Sequence, residues 1–135
     1  IDLSNISRLM HDTFINQGIN IDKEYNLKNL LELLDDLRKQ KLVEFYCTKD
    51  NEGLIFNFAI ISIINNTAQF LYSGRSLINN SSYAGTYLHA EIIKELLNLN
   101  IQIIDLEGIN SPKRAFFKIG FGGETKTYYN LKIHR

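Results

Sequence analysis

Two helical periods open the chain, and a period of two follows them. Ile6, Leu9, Met10 and Phe14 recur at three- and four-residue spacing after Asp2, Ser4 and Asn5, three residues suited to cap a helix, and Gly18 ends the pattern; this predicts a helix over 2–17. Asn26 then precedes Leu27, Leu30, Leu31, Leu34 and Leu37, a leucine stripe that predicts a second helix with Asp35, Asp36, Arg38 and Lys39 turned to water. From Leu42 the alternation shortens. Residues 42–48 and 54–64 read as strands separated by the turn Lys49-Asp50-Asn51-Glu52-Gly53, and 67–73 as a third strand after Asn65-Asn66. Two short turns in succession predict an antiparallel meander.

A polar loop over 73–82 separates the meander from a third helix at 83–99, with Leu88, Ile92, Leu96 and Leu99 at core spacing. Ile101–Leu106 is a short β-branched run that reads as a buried strand. Ser111 and Pro112, the only proline, then open a short helix through Ile119, which Gly120, Gly122 and Gly123 break. Residues 124–134, with Tyr128, Tyr129, Leu131 and Ile133, read as a last strand. The order is α-α-β-β-β-α-β-α-β. A strand, a helix and a strand in sequence predict a parallel crossover. The expected fold is therefore one α/β domain with a mixed sheet and helices on both faces. In such sheets ligands collect at the carboxyl ends of parallel strands, here Ser73-Gly74-Arg75 and Asp105-Leu106-Glu107.

Composition changes this picture little. The chain has 135 residues, enough for one domain, and its 44% hydrophobic and 22% charged residues suit a packed core. Fifteen basic and fifteen acidic residues cancel, which weighs against a broad nucleic-acid surface. A single cysteine, Cys47, excludes an internal disulfide and fits a reducing compartment, the cytoplasm being the expectation. No run is long and apolar enough for a membrane helix. The chain opens on Ile1, which is compatible with a piece of something longer. His11, His134 and Cys47 lie too far apart in sequence to suggest a metal site, and none is expected.

The stretch IQIIDLEGINSPKRAFFKIGFGG at 101–123 carries the candidate chemistry. Alternation puts Asp105 and Glu107 on one side of a strand end, where one can take a proton from an amine; capping the turn or pairing Arg114 is the plainer use. Lys118 is the leading catalytic candidate, against a solvated lysine on a short helix. Arg75 has the planar fork that binds phosphate or carboxylate, though surface arginines are common. His89 reads more readily as packed on its helix than as a base. Tyr83 and Tyr87 read as core or rim, and the glycines as backbone geometry.

The order of elements resembles the GNAT fold of acyl-CoA N-acyltransferases. Tyr72-Ser73-Gly74, the helix, Asp105-Leu106-Glu107-Gly108 and Phe117-Lys118-Ile119-Gly120-Phe121-Gly122-Gly123 resemble more narrowly the carboxyl-terminal GNAT-like half of Fem-type peptidoglycan peptidyltransferases and their acetyltransferase relatives. The resemblance implies that strands at 69–73 and 101–105 part at their carboxyl ends and admit a donor's pantetheine arm. Backbone N–H groups there would polarise the thioester carbonyl. It implies a pyrophosphate seat on 74–85, using Ser73, Gly74, Arg75, Asn79, Asn80, Ser81, Ser82 and Gly85, at a helix N-terminus. It places Phe117 and Lys118 at the reactive centre. The loop departs from the family's glycine-rich pattern, with no glycine between Gly74 and Gly85, and the short helix carries Phe116 and Phe117 where many relatives have a tyrosine acid.

The expected activity is acyl transfer from acetyl-CoA or another acyl-CoA to a small-molecule or peptide amine. Aminoacyl-tRNA is the alternative donor, on the Fem-like motif. A non-catalytic GNAT-like binding domain, or half of a two-domain enzyme, is the rival class. Self-association as a homodimer is left open.

Overall fold

The computed structural model describes residues 1–19, 26–78, 83–109 and 112–127. The elements are α1 (Leu3–Asn16), α2 (Leu27–Lys39), β1 (Val43–Lys49), β2 (Ile55–Ile64), β3 (Thr67–Arg75), α3 (Ala84–Asn98), β4 (Ile103–Asp105) and α4 (Pro112–Ile119). The predicted caps start the first two helices: Asp2 accepts from the Asn5 N–H and Asn26 from the Asn29 N–H. Three helices end alike, on a left-handed residue whose successor reaches back to the helix. These residues are Gly18, Lys41 and Asn100, and the N–H groups of Ile19, Leu42 and Ile101 donate to Phe14, Leu37 and Leu96. A lysine in that position gives no signal in the sequence.

The sheet runs β1-β2-β3-β4, with β1–β2 and β2–β3 antiparallel and β3–β4 parallel. Asn65 and Asn66 both take positive φ, the requirement of a two-residue hairpin that follows the strand twist. β2 is buried on both faces. Phe58 and Ile60 join Ile6, Leu9, Met10 and Leu34 beneath α1 and α2, while Ala59 and Ile61 join Leu88, Ile92 and Leu96 of α3. Two cores thus share one sheet, and β2 ties them together.

β3 carries an irregularity that decides the site. Ile60 faces Tyr72 but Ile61 faces Phe70, so Leu71 is one residue too many for its neighbour. The extra residue reverses the alternation. Ala68 and Phe70 pack on the α3 side, whereas Tyr72 packs on the α1 side. Gly74 follows Tyr72 onto that side. A Cβ there would overlap Thr13 Oγ1 and lie 2.9 Å from Thr13 Cβ and 2.7 Å from the Phe58 ring. The missing side chain lets α1 sit on the end of β3, and Thr13 Oγ1 accepts from the Arg75 N–H at 3.2 Å.

The predicted strand over 101–106 shortens to three residues, because Ile101 is spent closing α3. Of the last predicted strand, residues 124–127 form no strand, and 128–134 lie outside the described residues, as does the predicted cap Ser111. Gly74→Ala is expected to lower unfolding stability by about 1–3 kcal/mol, the usual cost of forcing atoms into a filled site. A urea denaturation curve identical to that of the native chain would show that α1 does not rest on β3 in this way.

Candidate active site

β3 and β4 are partners over three residue pairs only: Thr67 with Ile103, Ala68 with Ile104 and Gln69 with Asp105. β4 then stops while β3 runs on to Arg75. From Phe70 onward the β4-facing edge of β3 has no strand beside it among the described residues. A cleft of about 910 Å³ opens there. Its walls are that edge, the end of α1, the turn at 106–108 and the inner side of α4.

The turn is built by side chains. Asp105 Oδ1 accepts the Glu107 N–H at 2.7 Å, and Glu107 takes a left-handed φ of 66°. This corrects the expectation that alternation sets both acids on one side of a strand: the strand has ended, and the Asp105 carboxylate caps the turn instead. Glu107 lines the cleft, where its carboxylate accepts from the Gln69 side-chain amide. Lys118, the penultimate residue of α4, donates to the Gly108 carbonyl at 3.0 Å and so fastens helix to turn. Burial pushes the Lys118 ammonium below its ordinary value; Glu107 and Asp105 oppose this and Arg114 adds to it.

His89 stands opposite, on α3. It is only 8% exposed yet lines the cleft. Its Nδ1 lies 2.9 Å from the Gly85 carbonyl, and since a carbonyl only accepts, Nδ1 carries the proton of the neutral ring. The ring stacks on Phe70 at 4.9 Å and meets the Phe117 ring edge-on at 5.0 Å, with Phe121 beyond at 5.9 Å. Burial holds the imidazole below its ordinary value; the Gly85 contact opposes this, and the Lys118 charge reinforces it. The sequence favoured a packed histidine, and the packing is real, but it faces the site.

Of the residues expected there, Ser73, Gly74, Arg75, Glu107, Phe117 and Lys118 come together around the cleft. Asp105 acts from behind it. Gly85 is the second residue of α3 and offers its carbonyl to His89. Asn79, Asn80, Ser81 and Ser82 lie outside the described residues. The N-cap residue of α3, Tyr83, makes no side-chain cap hydrogen bond. Of the two phenylalanines that stand where many relatives have a tyrosine, Phe116 is 86% exposed and Phe117 lines the cleft. His89, Thr13, Phe70 and Phe121 were not expected there. Among the described residues no group of three or more His, Cys, Asp or Glu side chains is placed to hold a metal, and no helix is long and apolar enough to cross a membrane.

This arrangement, a mixed sheet with two parallel strands parting over a cleft, is the GNAT fold, and solved structures share it. A PaiA N-acetyltransferase from Thermoplasma acidophilum, in complex with coenzyme A, superposes with a TM-score of 0.64 at 18% identity, over 88% of this chain and 82% of that one. A predicted acetyltransferase from Clostridium acetobutylicum, with acetyl-CoA, gives 0.73 at 17% identity over 98% and 92%. A ribosomal-protein-alanine N-acetyltransferase from Brucella melitensis gives 0.66 at 9% identity over 99% and 94%. At such identities the likeness shows the fold. No protein-family model and no curated protein sequence matches the chain.

The depressed His89 value has a consequence for stability. Between the folded value and about 6.5, the unfolded chain holds a proton that the folded chain refuses. Stability should therefore fall as the pH drops through about 6.5, and level off once the folded ring also protonates. Urea denaturation at about pH 7 and about pH 5.5 should show this loss in the native chain and a smaller one in His89→Phe. Equal losses in both would show that His89 is not held neutral.

Proposed function

We propose that the chain is an N-acyltransferase that moves an acyl group from an acyl-CoA to a primary amine. The observation that carries this reading is the early end of the β3–β4 ladder: β3 runs on from Phe70 to Arg75 along a cleft where its parallel partner has ended. The edge of such a strand offers N–H and C=O groups in strand spacing, which an extended amide-bearing arm can pair with. A donor fits the residues present. Phe70, Phe117 and Phe121 supply apolar wall, Arg75 and the start of α3 suit a pyrophosphate, and among the described residues no acidic side chain but Glu107 lines the cleft. When bound, the donor supplies an activated acyl thioester.

The chain's own groups do the rest. Main-chain N–H groups near the bulge at Leu71 would stabilise the negative charge that grows on the acyl oxygen as the amine adds and the C–S bond breaks, the sulfur leaving on coenzyme A. Lys118 places a second positive group beside the same cleft, fixed by the Gly108 carbonyl. Glu107, on the rim, accepts a proton from the incoming ammonium. The end of α1, with Thr13 and Gln17, forms the wall on the acceptor side. α4 adds no titratable hydroxyl to this scheme, since Phe116 and Phe117 carry none.

A second donor, aminoacyl-tRNA, is favoured by one feature. The Asp105–Gly108 turn and the Phe117-Lys118 pair, the two halves of the Fem-like motif, are joined in space by the Lys118–Gly108 hydrogen bond. Against it stands the absence of a basic surplus in the sequence.

Coenzyme A should raise the melting temperature, because a ligand at about a hundred times its Kd adds about 2.7 kcal/mol to the folded state. No shift at millimolar coenzyme A, together with salt-sensitive binding of charged tRNA, would transfer the reading to the second donor. Lys118→Ala should lower turnover of acetyl-CoA about 10²-fold with the fold retained. An unchanged rate would remove Lys118 from the chemistry.

A further inference from the structure

α4 differs from the other helices in its charge. Elsewhere cations and acids share a helix at one-turn spacing: Arg8 lies 3.9 Å from Asp12 in α1, Lys39 2.7 Å from Asp35 in α2, and Lys94 3.9 Å from Glu91 in α3. α4 carries Lys113, Arg114 and Lys118 within eight residues, and no acid. Among the described residues none of these three makes an ion pair. Arg114 and Lys118 stand four apart, so they share a face of the helix and repel. Asp105 and Glu107 act on Lys118 from the turn, yet its ammonium stays below its ordinary value, first through burial. Both carboxylates are already engaged, Asp105 with the Glu107 N–H and Glu107 with the Gln69 amide.

All three cations line the cleft, Arg75 joins them from β3, and among the described residues Glu107 is the single acid in the lining. A chain whose fifteen basic and fifteen acidic residues cancel thus gathers four cations and one acid around one cavity. An amine arrives in water as an ammonium, and a cleft of that sign holds an ammonium back. The balance returns when the substrate brings a negative charge of its own. Position separates that charge from the donor's. In the reading above the donor's pyrophosphate falls to Arg75 and the start of α3. α4 lies across the cleft from them, beside the turn that carries Glu107. The Lys118 ammonium feels both Arg114 and Glu107, so this guanidinium and the proton acceptor of the scheme border one spot. A guanidinium is also the group whose fork meets a carboxylate or phosphate with two parallel bonds.

We propose that the acceptor is an anion-bearing primary amine, whose carboxylate or phosphate pairs with the α4 cations, Arg114 first, while its nitrogen lies at Glu107. This rests on the acyl-CoA reading above and adds the class of acceptor to it. Arg114 is a specificity residue: it holds the acceptor's anionic group and stays clear of the thioester bond that breaks. Lys113 beside it strengthens the same positive field. Diamines and polyamines carry a further cation into that field, and they are the acceptors the cleft turns away.

The test compares small primary amines at equal free-base concentration with saturating acetyl-CoA. The probes are β-alanine, β-alaninamide, whose carboxylate is masked, and putrescine, which ends in a second ammonium; phosphoethanolamine runs beside β-alanine to tell phosphate from carboxylate. At least one of the two anion-bearing amines should exceed β-alaninamide in kcat/KM about tenfold, the weight of one charge-assisted contact, and putrescine should be poorest. Arg114→Gln should raise the KM of the preferred acceptor about tenfold with little change in kcat, and Arg114→Lys, which keeps the charge but loses the fork, should recover part of that loss. Preference for β-alaninamide or putrescine, or acetylation of none of the four, overturns the assignment. So does an Arg114→Gln variant whose coenzyme A affinity falls as far as its acceptor KM rises, because the cation would then belong to the donor. Each of these outcomes leaves the acyl-CoA reading standing, provided the native chain binds coenzyme A by calorimetry. A native chain that binds no coenzyme A overturns both.

Discussion

The early end of the β3–β4 ladder is the constraint on which the rest of the site depends. A parallel pair of this kind is normally zipped along its length, because every unmatched backbone group in a sheet interior has a cost. Here the pairing closes after Gln69 and Asp105, and the structure spends several devices on keeping it from going further. The bulge at Leu71 turns β3 away from its neighbour's path. The Asp105 carboxylate claims the Glu107 N–H and bends the chain out of the sheet plane. Lys118 then holds the bent segment by the Gly108 carbonyl. Each of these is local, and together they leave a sheet edge exposed inside a fold, a place where edges are otherwise avoided.

Much of this was written in the sequence in a form that periodicity can read. The two helical stripes, the meander and the crossover follow from spacing alone, since a buried face imposes its period on the residues that fill it. Asp2 and Asn26 as caps, Gly18 as a terminator and Asn65-Asn66 as a turn follow from the backbone groups each residue type can satisfy. What spacing cannot show is where a ladder stops. Leu71 looks like any other strand residue, and its role as a bulge arises only from the register against Ile60 and Ile61. The shortening of β4 has the same origin: Ile101 is as apolar as Ile103, but the closing bond of α3 claims it first. Alternation consequently misplaced Glu107.

The candidate site was legible in part for a related reason. Lys118, Phe117, Glu107, Ser73, Gly74 and Arg75 were chosen because they lie at strand ends or on the following helix, and topology does bring those regions to one cleft. Their individual roles depended on contacts. Gly74 looked like a ligand loop residue and proves to be the seat of Thr13. Asp105 looked like half of an acid pair and is a turn cap. His89 carried no spacing signal, because a helix residue between Leu88 and Ala90 is read by its face. Only the third dimension shows that this face meets Phe70, Phe117 and Phe121.

The hairpin tip adds a mechanical side to the opening. The Asn66 carbonyl accepts from both Gln102 at 2.9 Å and Ile103 at 3.3 Å, so β4 is anchored to the start of β3 at one end and detached at the other. β3 is the fixed jaw, since it stays paired with β2 as far as Arg75 and is tied to α1 through Thr13. The other jaw is a turn and a short helix clasped to each other by the Lys118–Gly108 bond, so any change in the width of the gap falls to those two moving as one piece.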